Sequence, residues 1–215
     1  MLPGKGMLRD KAAHDRLQAA IVALEEKTDA EVMLAITRSS GSYRDIDHLA
    51  GTLAALLVLV VMLFVHFHGE EIDDHWVVSP VVAAYAVVAV ISSRTFALRR
   101  LLTSARRRGT QVANAARSAF VEEHVHATKR RDGLLIYFSA LEREVEIIPD
   151  LGIEGRLESG AWSAIQRDLE AAAHGQVLES AVTDALGAVG KLLAEKVPKT
   201  PHDPDEIPHR LRVRS

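Results

Sequence analysis

Leu49 to Val65 runs for seventeen residues without a charged side chain, and Trp76 to Ser93 repeats this over eighteen. Nothing else in the chain restricts its possible folds as strongly. A helix rising 1.5 Å per residue needs about 20 apolar residues to cross a hydrocarbon core of about 30 Å, and both runs reach that length with their flanks. Trp76 stands where an interfacial aromatic belongs, Arg94 can extend its head out of the apolar layer, and Ser79 and Pro80 are tolerable inside such a helix. About ten residues separate the runs, which predicts a transmembrane hairpin with helices over about 49–67 and 76–96. Two buried core helices of a soluble protein are the alternative, and one small domain has little use for two such charge-free helices.

Basic residues set the expected orientation. Arg38 and Arg44 precede the first run, and Arg94, Arg99, Arg100, Arg106, Arg107 and Arg108 follow the second. Residues 66–75 between them contain no lysine or arginine. The positive-inside rule puts both chain ends in the cytoplasm and the connecting loop outside, so a multi-pass membrane protein is expected. The net charge of −3 conceals this asymmetry, and zero cysteines exclude disulfides and thiolate metal sites.

The rest of the chain reads as one α/β domain. Ala13, Leu17, Ala20, Ile21 and Leu24 recur at helical spacing behind a possible Asp10 cap, giving a helix to about Lys27. Glu31 to Ile36 is a strand candidate apolar on both faces. Leu134 to Phe138 is an unbroken apolar run of strand length, expected to lie centrally beside it. Glu144 to Ile148 alternates, with Glu144 and Glu146 on one face and Val145 and Ile147 on the other, as in a half-exposed partner strand. Residues 140–143 form the turn, and Pro149 ends the ladder. Further helices are predicted over 110–127, from Ser159 or Gly160 to Ala173 with a stop at Gly175, and over 177–196. Residues 1–9 read as a loose lead-in. The tail, 198–215, carries Pro198, Pro201, Pro204 and Pro208 and is expected to be an extended, poorly packed arm.

Thr128-Lys-Arg-Arg131, Gly133-Leu-Leu-Ile, Val145-Glu-Ile-Ile and Asp150-Leu-Gly-Ile153, in that order, resemble the signature of the TPM domain family in its bacterial membrane-anchored branch. Residues 24–32 and Asp205 to Leu211 are similar to other parts of that pattern. The resemblance implies a small α/β/α sandwich interrupted by the two-helix transmembrane hairpin: residues 1–44 and 99–197 make the domain, 45–98 the hairpin and 198–215 the tail. It also implies membrane association, with phosphatase activity proposed for some relatives and calcium binding for others.

Candidate ligands are acidic residues beside strand ends. Asp150, Asp132 and Glu31 are the metal candidates, with Asp29 and Glu154 nearby; calcium needs six to eight oxygens, and separate loops at a sheet edge can gather them. Asp150 carries over best, because it lies within the family motif, although as an ordinary turn-former it would need no metal. His66, His68, Glu70, Glu71, Asp73, Asp74 and His75 form the densest ligand cluster, but a ten-residue loop offers little cavity. His124 and His126 are expected on opposite flanks of a helix, facing solvent. No phosphate-cradling glycine loop, serine elbow or acid/base carboxylate pair is present. The arginines beside the hairpin are explained by orientation and anionic headgroups, so nucleic acid is not an expected partner. The function expected is a non-catalytic interaction, assembly or repair module for a membrane protein complex; a metal-dependent phosphatase of the TPM family is the alternative, and a pore is disfavoured because neither run carries an internal charge.

Overall fold

A computed structural model describes residues 11–68, 74–156, 178–200 and 211–214, with 160, 162–167, 170 and 207. The chain divides into two compact units, one of residues 1–41 and 108–215 and one of residues 42–107.

The first unit is built on a four-stranded sheet of order β3-β2-β1-β4. Strands β1 (Glu31–Thr37) and β2 (Gly133–Ser139) are parallel along their whole length, Glu31 beside Gly133 and Thr37 beside Ser139, and every residue of both is buried. A parallel pair needs a crossover, and the second unit lies within this one. β3 (Glu144–Pro149) runs antiparallel to β2, with Pro149 opposite Leu134 as the last rung.

Both faces of the sheet are covered. On one, α1 (Lys11–Glu25) and α7 (Leu178–Lys196) bring Leu17, Ile21, Val189 and Leu193 against Val32, Leu34, Ile136 and Phe138. On the other, α5 (Ala105–Glu122) brings Val112, Ala116 and Ala119 against Met33, Ala35, Leu135 and Tyr137. Period-two strands supply alternate residues to each face, while each helix buries one stripe of its 3.6-residue repeat. Val145 and Ile147 face the α1–α7 side, so Glu144 and Glu146 take the α5 side.

Three expectations are corrected. The tail is not a loose arm: Leu211–Arg214 forms β4, parallel to β1, and Ile207 is buried in the α5-side core. Without β4, β1 would leave a fully buried strand with an open edge, and Leu211 and Val213 alternating with arginines suit the edge that closes it. The helix expected over 110–127 starts at Ala105 and stops at Glu122, since His124 takes a left-handed φ of 57° and a 3-10 turn follows over Val125–Ala127. That turn sets the rings of His124 and His126 6.1 Å apart rather than on opposite flanks. Residues 162–167 are helical, whereas Asp10, Ser159, Gly175, Pro201, Pro204, Asp205 and Pro208 lie outside the described residues.

In the second unit, α2 (Arg44–Phe67) and α3 (Asp74–Arg94) pack side by side, joined by residues 68–73, and α4 (Phe96–Leu102) follows after an extended Thr95. At 1.5 Å per residue they are about 36 and 31 Å long. Both are long and apolar enough to cross a membrane, and only 11% and 6% of their apolar stretches are buried. Gly51 permits their close approach, because a Cβ there would lie 2.9 Å from the Tyr85 carbonyl oxygen. The Tyr85 hydroxyl is 2.6 Å from His48 Nδ1. Near the open end Asp47 is buried, accepting from Ser92 Oγ at 2.8 Å and from Arg99 Nε and Nη2 at 3.0 and 2.5 Å.

Candidate functional site

The motif residues converge where β1 and β2 begin. Thr128 to Asp132 turns tightly into β2: the Arg131 amide donates to the Thr128 carbonyl at 3.2 Å and the Asp132 amide to Thr128 Oγ1 at 3.0 Å. Arg131 adopts a left-handed φ of 58°, which costs about 1 kcal/mol or more for a residue with a Cβ. The segment after Pro149 docks onto this turn. The Asp150 amide donates to the Gly133 carbonyl and the Gly152 amide to the Arg131 carbonyl, both at 2.8 Å.

Two glycines make this docking possible. A Cβ on Gly133 would lie 2.1 Å from the Val125 carbonyl oxygen, and one on Gly152 would lie 2.4 Å from that of Arg130 and 2.6 Å from that of Arg131. These neighbours are backbone, which cannot swing aside, so the motif glycines are steric requirements of the knot.

Asp150 is buried and caps the short helix α6 (Leu151–Glu154), accepting from the Leu151 amide at 2.8 Å. Its carboxylate also receives Arg131 Nε at 3.1 and 3.0 Å. Asp29 is held likewise, by the Thr200 amide and hydroxyl, both at 2.7 Å, and by Arg130 Nη1 at 2.9 Å. Burial pushes the Asp29 carboxyl up, but the Thr200 hydrogen bonds and the Arg130 charge outweigh it and hold the group below the usual carboxylate range.

The three metal candidates therefore share one end of the sheet in different roles. Asp150 caps and pairs; Asp132 is buried, its carbonyl accepting the Glu31 amide at 3.0 Å; Glu31 is buried in the first rung of β1. Among the described residues no three or more histidines or carboxylates gather so as to hold a metal. A calcium shell of six to eight oxygens does not fit a carboxylate already bound to arginine. Glu154 lies in α6; of the loop cluster, Glu70, Glu71 and Asp73, like the side chains of Asp74 and His75, are outside the described residues.

The opposite end of the sheet holds a second polar network. Ser139 donates a short hydrogen bond to Glu142, Ser40 Oγ donates to Ser139 Oγ at 2.8 Å, and the Ser40 amide donates to Glu142 Oε1 at 3.0 Å. Ser139 and Glu142 are wholly buried, so no substrate reaches them and they tie the β2–β3 turn to the end of β1. Next to them, Glu144 lies 3.6 Å from Arg108 Nε. Burial pushes its carboxyl up from 4.5 to about 7, against the attraction of Arg108 and reinforced by Glu170, Glu142 and Glu146. Burial also raises Glu146, while Arg117 and Gln166 pull it down. Sequence alone does not single out the Ser139–Glu142 network or the Glu144–Arg108 pair. Ser139 and Glu142 stand three residues apart across the predicted turn, which was the available signal.

What the geometry defines is an α/β domain with a four-stranded sheet, motif-bearing loops knotted at one end and an apolar helical pair placed within a crossover. A family model described as the TPM domain matches residues 87–192, from within α3 to within α7. The solution NMR structure of the BA42 protein from the psychrophilic bacterium Bizionia argentinensis has a similar fold, with a TM-score of 0.57 and 15% sequence identity over 95% of this chain and 94% of that one. No curated protein matches the sequence. By this match residues 87–192 carry a TPM domain.

Proposed function

We propose that this protein is a membrane-anchored TPM-like domain acting as a non-catalytic interaction, assembly or repair module for a membrane protein complex. One observation carries the anchor: α2 and α3 are apolar helices of spanning length of which, among the described residues, only 11% and 6% is buried. In water such surfaces forgo about 25 cal/mol per Å² that burial would supply; in acyl chains they are at home. The arginines flanking the pair and their absence between its helices support a bilayer inner face beside both chain ends. The engagement of Asp150 and Asp29 by arginines supports a structural rather than chemical use of the motif.

Single cysteines test the anchor cleanly, because the chain has none of its own. Glu70→Cys should react with a membrane-impermeant maleimide on intact bacterial cells, and Lys129→Cys only after permeabilisation; the reverse pattern refutes the topology. For the role itself, crosslinking in native membranes followed by mass spectrometry should recover one stoichiometric membrane partner. Metal-dependent phosphate release by the purified protein, abolished by Asp150→Ala, would instead establish an enzyme.

A further inference from the structure

Helix α4 has its polarity reversed for a helix in water. At 100° per residue, Ala97, Leu98, Leu101 and Leu102 fall within an arc of about 140°, and Arg99 and Arg100 lie on the other side with Phe96 between them. A helix packed on a soluble base turns its apolar arc inward. Here the inward contact is polar: Arg99 reaches back to the buried Asp47 of α2. No residue of α4 is buried, and Leu101 is 81% exposed.

The bends on either side hold it in this attitude. Thr95 and Thr103 are both extended, with φ of −115° and −107°, so α4 continues neither α3 nor α5. Thr103 Oγ1 closes its last turn by donating to the Arg99 carbonyl at 2.7 Å. Asp47 meanwhile binds Ser92, near the end of α3, so one carboxylate ties together α2, α3 and α4.

We infer that α4 is an interfacial helix: its Leu98 and Leu101 side enters the boundary between acyl chains and headgroups, and Arg94 and Arg100 lie against anionic lipid headgroups. The inference rests on the membrane reading above. Two features select lipid as the occupant. In sequence α4 follows the largely uncovered α3 after the single extended residue Thr95, and its apolar residues are bracketed by arginines, the pattern of a helix lying in an anionic interface. The Asp47–Arg99 pair acts as the positioning clamp that turns the apolar side outward.

Two single-cysteine variants of the full chain, Leu101→Cys and Leu57→Cys, labelled with an environment-sensitive fluorophore and reconstituted without other proteins into vesicles, test this. In vesicles containing phosphatidylglycerol, the probe at 101 should be about two-fold or more brighter than in denaturant and quenched more by spin labels near the headgroup than near the chain end. The probe at 57 should show the opposite depth preference. In purely zwitterionic vesicles, access of an aqueous quencher to position 101 should rise about five-fold, the equivalent of one headgroup contact of about 1 kcal/mol. A water-exposed probe at 101 with a lipid-embedded probe at 57 overturns the inference and leaves the anchor standing, whereas water at both positions removes both. Equal protection at 101 in the two lipids overturns the assignment to anionic headgroups.

Discussion

Glu144→Gln isolates the pH-sensitive group of the α/β unit. Gln keeps the shape of the side chain and removes its charge. In the folded wild type the carboxyl titrates at about 7, against 4.5 for a model glutamate. A raised carboxyl pKa means the folded state holds its proton more tightly than the unfolded chain. Stability is therefore fullest below 4.5, falls as pH rises, and levels off above 7. At 1.36 kcal/mol per unit the full loss would be about 3 kcal/mol. About a fifth of the side chain still meets water, which reduces the expected loss to about 2 kcal/mol between pH 5 and pH 8. Urea unfolding of the full chain in lipid nanodiscs, followed by the emission of Trp162 in a Trp76→Phe background, measures it. The Gln variant should lack this loss, giving a midpoint close to wild type at pH 5 and clearly higher at pH 8. Parallel pH profiles for the two proteins would show that Glu144 is not buried as described, and a wild type that gains on the variant as pH rises would show that Arg108 dominates it.

Three further outcomes follow from the packing. Gly152→Ala places a methyl against two backbone carbonyls and should cost about 2–3 kcal/mol, whereas Gly187→Ala, in open space on α7, should gain about 0.5–1 kcal/mol; the same urea titration compares them. Deleting residues 211–215 opens the β1 edge and removes the 3.0 Å Arg212–Glu123 pair, so amide exchange in Leu34–Thr37 should accelerate about ten-fold or more; unchanged protection would mean β4 adds nothing to the sheet. Gly51→Leu should wedge α2 from α3, reducing disulfide formation between Ala55→Cys and Val81→Cys, which line one groove, by about five-fold or more; undiminished crosslinking refutes the close approach.

How much was legible in the sequence depended on whether the signal was local. β1 and β2 could be read from their apolar runs because a strand buried on both faces has no polar position, and β3 from its alternation; each begins or ends within a residue or two of the observed bounds. The apolar helices were equally plain, although α2 starts at Arg44, a turn earlier, because Asp47 and Ile46 are buried at its base. β4 was missed: four residues alternating Leu, Arg, Val and Arg beyond several prolines become a strand only when an edge awaits them. The break at Thr95, and α4 after it, depends on Asp47 some fifty residues away.

The sequence by itself determined which segments are apolar and with what period; those follow from side-chain chemistry and short-range geometry. Only the tertiary structure decided what the charged residues do. Asp150 binds Arg131 nineteen residues earlier, Asp29 binds Arg130 and Thr200, and Glu144 is raised by burial. A charge takes its character from whatever is packed around it, and that packing joins segments over a hundred residues apart.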